Sequence, residues 1–252
     1  MLFTYDHLQF MYEPFPIGLA KPIMEPAAYK ELVAHFPPIE MFENYDAMGK
    51  PGEKYTLSEK ENYRAYKAFI DSVPVWRDFY RWIKSDDFVF GIMDMLRSHD
   101  IDLGHDVISP QRRLWKMLKG SVRGRSTYEL GRLRARFEFS ALPVDGGHVI
   151  PHTDTPTKIV TLVVSMLREG EWQSNFGGGT DVNRPKTDQL RYNHMNRLAG
   201  FEDMEVLHTF DYAPNQAVIF VKTYNSWHSV RPMTGSGHGD LRKTLTIVIE
   251  RR

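Results

Sequence analysis

The stretch HVIPHTDTPTK, residues 148 to 158, sets His152 and Asp154 two apart in a chain that contains no cysteine. Without thiolates, a transition-metal site here has only imidazole and carboxylate to draw on. Side chains of an extended strand repeat with a period of two, so His152 and Asp154 are expected on one face, where they could share an ion. A lone His-Thr-Asp triplet is more often a surface turn than a metal site. A third ligand is therefore needed, and NSWHSVRP supplies His228, just beyond the apolar run QAVIFVK.

Two imidazoles and one carboxylate on one side of an octahedral divalent ion leave three positions open. That arrangement is diagnostic of non-heme Fe(II) oxygenases, which must take a bidentate co-substrate and O2 at the same ion. A cation on the last strand would hold the far carboxylate of such a co-substrate, 2-oxoglutarate. In LRKTLTIVIE, residues 241 to 250, Arg242 shares a face with Thr244 and Thr246, while Leu241, Leu245 and Ile247 form the other. A guanidinium grips a carboxylate bidentately, which favours Arg242 over Lys243 on the opposite parity.

Together these residues resemble the Fe(II)- and 2-oxoglutarate-dependent oxygenases, in particular their prolyl-hydroxylase-like branch. The resemblance covers roughly residues 131 to 252, through GGHVIPHTD, GGGTDV, NSWHSVRP and RKTLTIVI. It implies His152, Asp154 and His228 as iron ligands, Arg242 as the 2-oxoglutarate anchor and Thr246 beside it. It implies Fe(II), 2-oxoglutarate and O2 as cofactor and co-substrates, and hydroxylation of an unactivated C–H bond with release of succinate and CO2. Many relatives carry a tyrosine in the strand after the triplet to contact 2-oxoglutarate. Ser165 stands at about that place here, so Ser165 acting through water, or Lys158, or a residue outside the motif is expected to substitute. Asp154 argues against halogenation, which in this family replaces the carboxylate by a small residue. The competing reading is a cupin-type jelly roll that holds a metal without oxygen chemistry, and a buried Arg242 beside the site tells against it.

The elements that must position these residues change period midway. Tyr29, Leu32, Val33 and Phe36 recur at helical spacing after Pro26, and helical patterns follow from Val75 to Lys84 and from Asp86 to His99. In the second half RARFEFSAL, KIVTLVVSML, VLHTFDY, QAVIFVK and RKTLTIVIE are β-branched or aromatic runs separated by turn residues. Strands without long intervening helices predict an antiparallel fold. The expected fold is mainly β with α: a double-stranded β-helix, or jelly roll, with a helical N-terminal layer packed on it. The expected organisation is one oxygenase domain over residues 1 to 252, mainly helical to residue 130 and carrying the metal site from 131 onward. GGGTDV lacks the context of a phosphate loop and is read as a tight turn at the barrel rim.

At 252 residues the chain can bury a substantial core, and 32 basic residues balance 32 acidic ones. No global field selects nucleic acid or an anionic membrane. No run of apolar residues is long enough to span a bilayer, so a soluble, unexported, cytoplasmic protein acting on a small molecule is expected. Locally, Arg112, Arg113, Lys116, Lys119, Arg123, Arg125, Arg132, Arg134 and Arg136 face only Glu129 between Pro110 and Arg136. Such a run is read either as a solvated face or as the mark of an anionic substrate. Nucleic acid is the weaker option because stacking aromatics are not interleaved with it. Arg134, Arg136, Glu138 and Ser140 share one face of their strand, expected to look into the barrel mouth. Those arginines need acidic partners and are candidates, with Glu138, for substrate binding. His194, in a polar stretch, is read as a surface or lid residue, and His148, His208 and His238 have no partner pattern.

Overall fold

Antiparallel pairing organises the second half of the chain into two sheets, in a computed structural model that describes residues 2–44, 54–104, 133–235 and 239–251. The strands are β1 Gln9–Met11, β2 Ile17–Ala20, β3 Glu43–Asn44, β4 Tyr55–Ser58, β5 Leu133–Pro143, β6 Val149–His152, β7 Lys158–Ser165, β8 Thr180–Pro185, β9 Met204–Phe210, β10 Ala217–Val221, β11 His228–Val230 and β12 Leu241–Arg251. The larger sheet runs β1-β2-β10-β7-β12-β5-β4-β3 and the smaller β6-β11-β8-β9. From β5 onward the chain passes repeatedly between the sheets, the winding of a double-stranded β-helix. Ile17, Val218 and Phe220 of the larger sheet share a core with Val182 and Phe210 of the smaller.

The helical layer consists of α1 Pro26–Ala34, α2 Tyr63–Ser72, α3 Pro74–Ile83 and α4 Asp86–Ser98. Helix α1 begins at Pro26, whose missing N–H costs nothing there, and Glu25 accepts from the amides of Ala27 and Ala28. Helix α4 is capped by Ser85, whose hydroxyl accepts from Phe88 N, and carries Asp86 and Asp87 in its first turn. Helix α2, which buries Tyr66, Phe69 and Ile70, adds to the three helices expected from the sequence. The N-terminal part is also less purely helical than expected. Strands β1 and β2 extend the larger sheet beyond β10, and β4 and β3 extend it beyond β5. Segments of two to four residues are too short to show a period, and they gain their hydrogen bonds from edges that longer strands create. No described helix is long and apolar enough to cross a membrane.

The alternation in β5 and β12 divides the barrel. Ala135, Phe137, Phe139, Leu245, Ile247 and Ile249 belong to the core shared with the helices, where Trp76 meets Phe139 at 4.7 Å and Phe79 meets Phe137 at 5.3 Å between ring centroids. The opposite face carries Arg136, Glu138 and Ser140 across from Val248, Thr246 and Thr244, with Arg242 opposite Leu142. Strand β7 continues these rungs with Thr161, Val163 and Ser165. The expected turn in GGGTDV forms before β8, where Gly177 and Gly178 both have φ near +80°. At Gly178 a Cβ would also lie 3.2 Å from Arg242 Cδ, so glycine there leaves room for that side chain.

Candidate metal centre

His152 ends β6 and His228 opens β11, and the two are direct cross-strand partners with ring centroids 4.2 Å apart. Asp154 joins them by a different route from the one expected. Strand β6 stops at His152, and Asp154 lies in the turn beyond it with φ +70°, the left-handed region that Asp enters more readily than most residues. A turn, and not strand alternation, therefore brings the carboxylate to the histidines. Asp154 Oδ1 lies 3.7 Å from His152 Nε2, and one potential ligand atom from each of the three residues lies within 4.8 Å of the others.

The hydrogen bonds around the rings select the state that binds metal. His152 Nδ1 is 2.9 Å from Ile150 O, and His228 Nδ1 is 2.9 Å from Ser226 O. A carbonyl can only accept, so each ring carries its proton on Nδ1 and presents the lone pair of Nε2. Burial, reinforced by His152, pushes His228 down to about 3 against the opposing pull of Asp154, so this imidazole is neutral at neutral pH. Burial alone would raise the Asp154 carboxyl, but Lys158 and the two histidines hold it well below the usual carboxylate range. Its Oδ1 accepts from Lys158 Nζ at 2.5 Å and its Oδ2 from the Thr161 hydroxyl at 3.0 Å. Among the described residues no fourth His, Asp or Glu joins the group. Structural zinc sites close with four protein ligands, whereas three leave positions for exogenous groups. The donor set fits an Fe(II) ion.

Arg242 is 5% exposed and lies on the same inner face, six residues along β12 from Val248, whose partner Thr161 bonds Asp154. Its Nε donates to Gly178 O at 2.5 Å, and its guanidinium carbon sits 4.9 Å from the Tyr212 ring centroid. Among the described residues no acceptor takes its two Nη groups. Lys243, by contrast, points to the other side and meets Glu171 at 3.4 Å. Thr246 stands between Arg242 and the ligands, and Ser165 is buried opposite Thr244. Lys158 lies at the opposite end of β7 from Ser165, seven residues or about 23 Å away. Its contact with Asp154 places it beside the ligands and away from Arg242.

Arg136 shares a rung with Val248 and Thr161, two strands and about 10 Å from the latter. Arg136 pairs with Glu250 at 3.2 Å and Glu138 at 3.4 Å, Arg134 with Glu250 at 2.8 Å, Lys54 with Glu138 at 3.1 Å and Lys60 with Glu250 at 3.6 Å. The acidic partners the arginines require are thus present. Glu250, Thr161, Tyr212 and Lys222 escaped the sequence reading, although alternation in β12 places Glu250 on the Arg242 face. His194 is exposed against Tyr224, and His148 bonds Gly146 O. The basic residues from Arg112 to Arg132, and His238, lie outside the described residues.

No family model matches the chain, and no curated protein does. Similar solved structures include a prolyl-4-hydroxylase from Pseudomonas putida, 15% identical over 94% of this chain and 92% of that one, with a TM-score of 0.46. A prolyl hydroxylase from Trichoplax adhaerens, in complex with a hypoxia inducible factor oxygen degradation domain peptide fragment, is 11% identical over 93% of this chain and 83% of that one, with a TM-score of 0.45. The epimerase SnoN, in complex with Fe3+, alpha ketoglutarate and nogalamycin RO, is 11% identical over 93% of this chain and 78% of that one, with a TM-score of 0.45.

Proposed function

We propose that the protein is an Fe(II)- and 2-oxoglutarate-dependent dioxygenase that hydroxylates an unactivated C–H bond of a small anionic metabolite. The observation that carries this reading is the pairing of an open His152–Asp154–His228 group with a buried guanidinium, Arg242, whose Nη groups meet no acceptor among the described residues. A cupin-type metal binder has no use for that second feature. Bound at the triad, Fe(II) would supply the oxygen chemistry: substrate, 2-oxoglutarate and O2 give hydroxylated product, succinate and CO2.

The chain's own residues hold and orient the reactants. Arg242 takes the far carboxylate of 2-oxoglutarate through two parallel N–H donors, and the hydroxyls of Thr246 and Ser165 line the passage toward the ligands. At the metal end, Lys54, Lys60, Arg134, Arg136 and Lys158 share the carboxylates of Glu138, Glu250 and Asp154. An anionic group on the substrate would be drawn to the cationic side chains there, Arg136 and Lys158 being the more buried of them. Held there, it fixes which C–H bond lies nearest the ion. A cytoplasmic setting, as expected from the sequence, belongs to the same reading.

The test starts without a substrate. Anaerobic protein given Fe(II) and 2-oxoglutarate should develop a weak visible charge-transfer band, and its absence favours the metal-binding alternative. A mass-spectrometric search of cell extract should then find a metabolite that gains one oxygen atom only when enzyme, Fe(II) and 2-oxoglutarate are all present.

A further inference from the structure

We infer that Thr153, between the two ligands of the triplet, is a positioning residue of the metal centre, through which Lys222 and the segment 186–200 set the ligand geometry. The inference rests on the reading that the triad holds a divalent ion. Thr153 is fully buried, and every polar group it has is engaged. Its amide donates to Asn196 Oδ1 at 3.2 Å, and its hydroxyl donates to Asn193 O at 2.8 Å while accepting from Lys222 Nζ at 3.2 Å. Its carbonyl, 3.2 Å from the Ser226 hydroxyl, shares that hydroxyl's proton with Thr223 O at 3.0 Å. Ser226 in turn offers its own carbonyl to His228 Nδ1. One residue therefore ties the turn that carries Asp154 to the chain that carries the second histidine.

The groups that hold Thr153 are themselves fixed. Lys222 directs its three donors at Thr153 Oγ1, Asn193 O at 3.3 Å and Thr223 O at 2.9 Å, a full complement for an ammonium. Asn193, 3% exposed, exchanges two 2.7 Å bonds with the backbone of Arg197, and its amide donates to Tyr224 O. Ala199 N donates to Pro151 O at 3.1 Å, one residue before His152. The segment is braced internally and docked along the ligand-bearing turn.

The need for such a clamp lies next door. A non-glycine residue in the left-handed region persists only where its surroundings over-determine it, and Asp154 has φ +70°. Thr153 fixes the peptide planes on either side of itself, and with them the separation of His152 and Asp154. Without its hydroxyl, the turn can relax and the carboxylate leaves the shared face. An ion would then have to reassemble its ligands as it binds.

The test compares wild type, Thr153→Val and Thr153→Ser, measuring thermal unfolding without metal and Mn(II) affinity by calorimetry. Valine keeps the shape and loses the hydroxyl, and serine keeps the hydroxyl. Mn(II) affinity should fall in Thr153→Val by at most the roughly 10- to 100-fold that follows loss of a group bonded directly to a metal ligand, and recover in Thr153→Ser. Asn196→Gly provides a second arm should the valine variant fail to fold. It deletes only the side-chain bond to Thr153 N, glycine tolerates the φ of +59° there, and Mn(II) affinity should again fall with the fold intact. Wild-type affinity in Thr153→Val or in Asn196→Gly, or equal losses in the valine and serine variants, would overturn the inference. A wild-type protein that takes up no Mn(II) would instead overturn the metal reading on which it rests.

Discussion

Replacing Arg242 with alanine removes a charge from a largely desolvated position, since the side chain is 5% exposed, stacked on Tyr212 and held at Nε by Gly178 O. The two Nη groups left over are suited to a fork on one carboxylate. Truncating one partner of such a desolvated pair costs roughly 2 to 5 kcal/mol, on the order of 30- to several-thousand-fold in affinity. The variant also leaves Gly178 O without its donor, an effect on stability of about 1 kcal/mol that a melting curve measures separately. Arg242→Lys keeps the charge but loses the planar fork and the Nε bond, and should fall between the two. The assay is an anaerobic titration of 2-oxoglutarate into Fe(II)-loaded protein, followed by the visible band, beside a titration of the ion alone. The 2-oxoglutarate requirement should rise steeply while ion affinity stays within a few-fold of wild type. Normal 2-oxoglutarate binding in Arg242→Ala, with failure in Lys243→Ala, would refute the assignment of faces on β12.

Alanine at His152, Asp154 or His228 should each abolish 2-oxoglutarate turnover while circular dichroism shows the fold retained. Asp154→Gly should melt higher than Asp154→Ala, because both lose the bonds to Lys158 and Thr161 but only glycine is at ease at φ +70°, and should lose hydroxylation even if it still takes up iron. Glu138, which burial alone would raise, is drawn by Lys54, Lys158 and Arg136 to about 2 from the usual 4.5. Its folded value lies below its unfolded one, so this stabilisation, at most about 3 kcal/mol, is present above pH 4.5 and lost as pH falls toward 2. Urea unfolding of Glu138→Gln should therefore lose less stability than wild type between pH 5 and pH 3 (about one carboxylate's share), and an unchanged pH slope would contradict this. Arg136→Ala should release succinate in excess of hydroxylated product once a substrate is in hand. An unaltered ratio with a lower melting temperature would make Arg136 a structural ion-pair residue only.

What sequence reasoning could see followed from periodicity. Alternation in RARFEFSAL and LRKTLTIVIE separates Phe137 and Leu245 from Glu138 and Thr246, and the sheets place them on the faces so expected. The meeting of His152 with His228 followed from the ligand set the triplet needs and from the resemblance, since nothing local joins residues 76 positions apart. The left-handed turn at Asp154 was not visible, because a triplet fits a strand and a turn equally well. Nor was the environment of Thr153, whose partners Asn193, Lys222 and Ser226 lie 40, 69 and 73 residues away. Bonds from a side chain to a distant loop backbone leave no period in either segment. Strands β1 to β4 stayed hidden for a related reason: their pairing is decided by edges that β5 and β10 provide.

The same alternation separates stability from chemistry within single strands. On β5, Phe137 and Phe139 are fully buried against the helical layer, and truncating either to alanine should cost about 3 to 5 kcal/mol without touching a polar group of the cavity. Arg136 and Glu138, on either side of Phe137, lie on the opposite face, in ion pairs with Glu250 and Lys54. Strand β12 repeats the division with Leu245 and Ile247 on one side and Arg242, Thr244 and Thr246 on the other. A one-residue slip in the register of either strand would exchange the two sets, burying arginine under the helices and filling the cavity with phenylalanine. The large apolar area on the helical side thus does more than hold the molecule together. It makes that slip prohibitively costly, and so fixes Arg242 on the inner face of the sheet that carries Thr161, the partner of Asp154.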